Sequence, residues 1–259
     1  MSLMIFNTFG LVYSLSLLVA LLGGLKIGHI FGKRWRVSGQ ESEKGNTMDG
    51  VVFALLGLLL AFSFSGAMSS YGSHRDLLTR EASAITDFYQ KLDLLPEDAK
   101  ASLQIALREY ADLRLEATQA DIDSPVEREA LARSQIVQKQ IWQELTEYVR
   151  KSGNATANNQ LLNAFSTMTG VVDEQFADVN NHVPAVVYGL IFILAIMASL
   201  MAGYGMSNLK KLPVIRVVIF SLAVCATVYT IIDLEFQRTG LFNASPTNIM
   251  LIKSINDIQ

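Results

Sequence analysis

The sequence is poor in the residues that most chemistry needs. It holds one cysteine, three histidines and five prolines, and only 17% of its 259 residues are charged. The single Cys225 can form no intrachain disulfide, so cysteine usage is silent on the compartment, and its place in an apolar run reads as packing. Charge this sparse, beside 51% hydrophobic residues, excludes an ordinary soluble domain of this length. No strand-like alternation of useful length occurs, so the fold class is all-α, a polytopic membrane protein.

The usual catalytic signatures are missing as well. There is no paired nucleophile and base, no Gly-x-Ser-x-Gly elbow and no phosphate-binding glycine loop; Gly23 and Gly24 end an apolar run with no strand before them. Neither an enzyme nor a cofactor is expected. For metal binding the weak candidates are His74, Asp178 and His182, the last two spaced to share a helix face, but solvated interfacial histidines are the simpler reading. Residues 74–182 contain 11 basic and 18 acidic side chains, a net charge of −7, which leaves no basic patch for nucleic acid.

What the chain does have is long uncharged runs. Met1–Leu25, Val51–Ser73 and Val183–Leu209 contain no charged side chain, and each exceeds the roughly 20 residues a helix needs to cross about 30 Å of hydrocarbon. Val217–Ile232 is shorter, but Leu212–Ile215 extend it and Arg216 can snorkel to the headgroups. Four transmembrane helices follow, in residues 1–73 and 183–238, with a helical bundle at 74–182 and a tail at 239–259. The first run has no basic n-region and is followed by Gly32-Lys33-Arg34-Trp35-Arg36 rather than a small-residue cleavage site, so it is expected to stay attached.

Basic residues flank two of the connections. Lys26, Lys33, Arg34, Arg36 and Lys44 follow the first span, and Lys210, Lys211 and Arg216 lie between the third and fourth. The positive-inside rule keeps both connections cytoplasmic. In a bacterial inner membrane both termini and residues 74–182 then lie in the periplasm.

Within 74–182 the hydrophobic period is that of amphipathic helices. Leu78, Ala82, Ile85, Tyr89 and Leu92 form a stripe continuous with the second span, so one rod is expected to cross the membrane and project beyond it. Pro96 opens a helix carrying Leu103, Ala106, Leu107, Tyr110 and Leu113. A third carries Leu131, Ile141, Trp142, Leu145 and Val149, and a fourth carries Leu161, Phe165, Met168, Val172, Phe176 and Val179. Four such helices suit an antiparallel bundle.

Two steric patterns bear on function. Ser16, Ala20, Gly24, Gly28 and Gly32 recur every four residues in the first span, and Gly57, Ala61, Ser65, Ser69 and Ser73 do so in the second. Small residues at this interval let backbones approach closely in lipid, so intramolecular packing is one reading of both. The three serines also suit an aqueous path between subunits. At the end of the fourth span Asp233, Glu235 and Arg238 read either as interfacial anchors or as ion-pair partners of Arg75 and Arg80.

The segment Ala54–Ala67 (ALLGLLLAFSFSGA), followed by His74–Ala82, Leu92–Pro96, Arg108–Tyr110 and Asp233–Gly240, resembles the bacterial membrane-protein family DUF4239, or bestrophin-like. The resemblance covers most of the chain. It implies a relation to bestrophins, pentameric anion channels whose second transmembrane helix lines the pore. Ser65, Ser69 and Ser73 then become pore-lining candidates and Phe62 or Phe64 a constriction. Bestrophins keep their large helical part in the cytosol, whereas the basic residues here place it outside. The expected function is an oligomeric ion channel, a homo-oligomer in the lipid bilayer passing inorganic ions. The alternative is a non-conducting scaffold or sensor whose bundle binds a partner or ligand.

Overall fold

The structure is a computed structural model describing residues 2–35, 42–120, 124–178, 184–208 and 213–235; of the side chains of 2–9 and 42–48 nothing is described. The described residues form seven α-helices and no strand: α1 (Ser2–Trp35), α2 (Ser42–Lys91), α3 (Glu97–Gln119), α4 (Pro125–Lys151), α5 (Ala155–Asp178), α6 (Ala185–Gly205) and α7 (Val214–Glu235). Short 3-10 turns follow α2 and α6. Four of the helices, α1, α2, α6 and α7, are long and apolar enough to cross a membrane.

Helix α1 continues past the uncharged run through Lys26 to Trp35, and Gly28, His29 and Gly32 on that last stretch are buried. A lone exposed lysine does not interrupt helix propagation. Helix α2 is a single run of 50 residues, about 75 Å at 1.5 Å per residue, far more than one span requires.

The chain divides into two compact units, one built on Tyr71–Asn181 and the other on Met4–Ser70 with His182–Phe242. In the first, the 71–91 part of α2 and helices α3, α4 and α5 share one core in which Ile85, Phe88, Leu107, Tyr110, Ile141 and Leu161 are almost completely inaccessible. Among the described residues each helix contributes the stripe its periodicity predicts, with Tyr89, Leu131 and Val149 half-buried at its margins and two residues exposed; Val179 lies outside the described residues. Trp142 and Phe176 are 45% and 44% exposed. Trp142 lies over Phe165 in a stacked arrangement, ring centroids 5.4 Å apart, which buries one face of the indole and leaves the rest at the surface.

Local signals place the ends of these helices. Glu97 and Asp98 occupy the first turn of α3, where the helix dipole favours acids. Ser124 caps α4: its Oγ accepts from the Glu127 amide at 3.0 Å, and Pro125 fills the first position. Ser124→Ala is therefore expected to cost about 1 kcal/mol, measurable as a lowered unfolding midpoint of the full-length protein.

In the second unit the glycine part of the first-span stripe, Gly24, Gly28 and Gly32, is buried in helix packing, while Ser16 is exposed and Ala20 half-buried. A Cβ on Gly28 would fall 2.9 Å from the carbonyl carbon of Leu200 and 3.0 Å from the Tyr204 amide; one on Gly203 would fall 2.9 Å from the carbonyl carbon of Leu25. One turn further, a Cβ on Gly32 would meet that of Ser207 at 2.5 Å. The two backbones approach as closely as glycine permits, replacing with dispersion the hydrophobic drive that lipid does not supply. Elsewhere the unit packs through aromatic edges: Phe53 of α2 on Phe220 of α7, and Tyr13 of α1 on Tyr188 and Phe192 of α6.

Candidate functional site

Along residues 49–70 of α2 the buried residues are Leu56, Ser63 and Ala67, spaced so that they mark one inward face. The other small-residue stripe lies away from it. Gly57, Ala61, Ser65, Ser69 and Ser73 are all exposed, and nothing lies within 4 Å of where a Cβ on Gly57, Gly66 or Gly72 would stand. Two stripes of the same period thus differ: the glycines of the first, Gly24, Gly28 and Gly32, are filled by α6 and its following turn, while Gly57, Ala61, Ser65 and Ser69 of the second are exposed.

Helical geometry sorts the two phenylalanines. Phe62 precedes Ser69 by seven residues and Ser65 by three, which puts it on the serine face, and it is 67% exposed. Phe64 is 41% exposed and lies roughly 100° around the helix from Ser65. Of the two, Phe62 shares the face with the serines.

Helix α5 runs antiparallel along the 71–91 part of α2, and polar contacts mark their seam. Asp178 accepts from Ser73 Oγ at 3.4 Å and stands 3.9 Å from His74 Nδ1. Arg80 makes a two-pronged pair with Glu174, at 2.6 and 3.2 Å, on the surface. Among the described residues no group of three or more His, Cys, Asp or Glu side chains is placed to hold a metal ion. His182 lies outside the described residues, as does Arg238.

The remaining ion-pair candidates are distributed as follows. Arg75 accepts a hydrogen bond from Thr79 through its backbone carbonyl. Asp233 and Glu235 are each 6% exposed, buried rather than solvated, and Glu235 accepts from the Tyr188 hydroxyl; Tyr13 in turn donates to the Tyr188 carbonyl at 2.6 Å.

A further polar group was not anticipated. Glu81 of α2, Arg114 of α3 and Gln175 of α5 form a closed ring inside the bundle, 0%, 5% and 9% exposed. Arg114 Nε donates to Glu81 Oε1 at 2.5 Å and its Nη2 to Gln175 Oε1 at 2.7 Å; Gln175 Nε2 donates to Glu81 Oε2, also at 2.7 Å. Burial alone pulls the Arg114 pKa down, and the adjacent Glu81 carboxylate more than offsets it, leaving the guanidinium above its ordinary value. One turn earlier on α3, burial pushes the Tyr110 phenol well above its usual range. The signal for this ring was present in the sequence: each member occupies a position that its helix's apolar stripe assigns to the core.

Together these features define a four-span, all-α membrane protein with a helical bundle inserted between the second and third spans. The chain belongs to the bestrophin-like family, whose domain model matches residues 9–249. Three solved structures share the fold, each at 16% sequence identity. One is a crystal structure described as a membrane protein, with a TM-score of 0.68 over 95% of this chain and 97% of that one. Two are single-residue variants of a bacterial bestrophin homologue from Klebsiella pneumoniae, with TM-scores of 0.63 and 0.64; the alignments cover 93% and 96% of this chain and 97% and 94% of theirs. Among curated proteins none matches.

Proposed function

We propose that the protein is an oligomeric ion channel of the bacterial inner membrane, with α2 near the axis and the face bearing Phe62, Ser65, Ser69 and Ser73 turned toward the path. One observation carries this reading: the small-residue stripe of α2 is exposed along its whole length, with open space where a Cβ on Gly57 would stand, whereas the glycines of the equivalent stripe of α1 are packed against α6. A helix facing lipid gains nothing from hydroxyls and loses contact area through glycines, whereas a helix facing water or another copy of itself uses both. Family membership and the shared fold agree with it. In this reading residues 74–182 and both termini are periplasmic, as the positions of the basic residues favour.

Purified protein in liposomes is expected to pass inorganic ions down an imposed gradient, and Ser69→Trp to abolish the flux while leaving the oligomer intact. Absence of flux under every gradient, pH and calcium concentration tried would overturn the channel reading. A second reading, a non-conducting scaffold or sensor whose bundle binds a partner, is favoured by the lack of any charged side chain across Val51–Ser73, since ion pathways commonly carry one. Oligomeric state in nanodiscs separates the two, because four packed spans of a monomer leave no room for a pore.

A further inference from the structure

The buried Glu81–Arg114–Gln175 ring is not the most stabilising way to fill its space. Removing a carboxylate and a guanidinium from water carries a large desolvation cost, and well-packed apolar residues of the same volume hold such a site as well or better. What the ring has and aliphatic side chains lack is a single solution: its donors and acceptors match only when the three helices stand at one longitudinal position. The apolar part of the same core is more permissive. Leu78, Ala82 and Ile85 belong to one cluster with Ala164 and Met168, side chains without directional requirements.

We propose that the ring is a register clamp, holding the 71–91 part of α2 at one height against α3 and α5, so that a one-turn slide of α2 within the bundle requires all three side chains to part at once. Two neighbouring contacts repeat the register it sets. Arg80 and Glu174, each one residue before a ring member, pair outside it, and Gln175 Nε2 also lies 3.4 Å from the Leu77 carbonyl on α2. Polar groups buried in helical interfaces have their best-attested role in fixing register.

The test uses full-length protein in which Cys225→Ala leaves only introduced cysteines. The pair Arg80→Cys with Glu174→Cys, joined by a short bifunctional thiol reagent that stands in for the length of the arginine and glutamate side chains, reports the observed register; Ala84→Cys with Glu174→Cys and the same reagent reports α2 displaced by one turn. A turn is about 5.4 Å, comparable with the reach of such a reagent, so the two pairs distinguish the states. With the ring intact, the first pair should cross-link in roughly tenfold excess over the second. In a ring-free background carrying Glu81→Leu, Arg114→Met and Gln175→Leu together, the two should become comparable while the thermal unfolding midpoint does not fall. Retention of the excess in that background overturns the clamp. So does a ring-free protein that unfolds well below the parent or fails to accumulate folded, since the ring would then act through stability.

Discussion

Gly28→Leu and Gly203→Leu are each expected to prevent the membrane unit from reaching its folded state, seen as loss of the monodisperse species in detergent and a collapse of thermal stability. The reason is what opposes them. At Gly28 the obstruction is the Leu200 carbonyl and the Tyr204 amide, and at Gly203 it is the Leu25 carbonyl and the His29 amide. Backbone inside a hydrogen-bonded helix cannot rotate aside as a flexible side chain does, so α1 and α6 must separate along their whole contact. Overpacking a core commonly costs about 1–3 kcal/mol when neighbours can adjust. Here adjustment means losing the crossing, and the cost should exceed that range.

Gly57 supplies the control. It belongs to a stripe of the same period, yet a Cβ there meets nothing within 4 Å. Gly57→Ala is expected to leave folding intact, since alanine is the better helix former by about 1 kcal/mol. Normal folding of both Gly28→Leu and Gly57→Ala would mean that α1 and α6 do not cross through their glycines.

How much of this was legible in the sequence depends on which force set each feature. The spans were readable because charge is excluded from hydrocarbon over a length that chemistry fixes, and the bundle stripes because burial on a helix has one period. Helix α1 runs beyond its uncharged stretch because Gly28 and Gly32, in register with Gly24, keep it in contact with α6 past Lys26. The two small-residue stripes share one spacing, which shows that a close approach is permitted and not what approaches; only the serines of the second set it apart. Trp142 and Phe176 fell on the right faces, but their surfaces exceed what the core can cover. Glu81, Arg114 and Gln175 were overlooked because the stripes were traced through apolar residues alone, although a charged residue at a core position is the more informative observation.

Arg114→Met should be among the most damaging single substitutions in the bundle, costing about 3–5 kcal/mol. The guanidinium is a good size match for methionine, so the loss comes from what remains: Glu81, at 0% exposure, would keep a carboxylate with only Gln175 Nε2 donating to it. Adding Glu81→Gln should restore much of the stability, because a neutral amide needs no counter-ion. The same change at the surface is the comparison. Arg80 and Glu174 are joined by hydrogen bonds as short as those of the ring, but their side chains are 55% and 52% exposed. Water replaces the lost partner there, and Arg80→Met should cost no more than about 1 kcal/mol. Thermal or denaturant unfolding of the three variants checks this ordering. Equal losses at Arg80 and Arg114 would mean that burial does not set the strength of these pairs, and recovery in the Arg114→Met, Glu81→Gln double variant would identify the stranded charge, rather than the missing contacts, as the source of the damage.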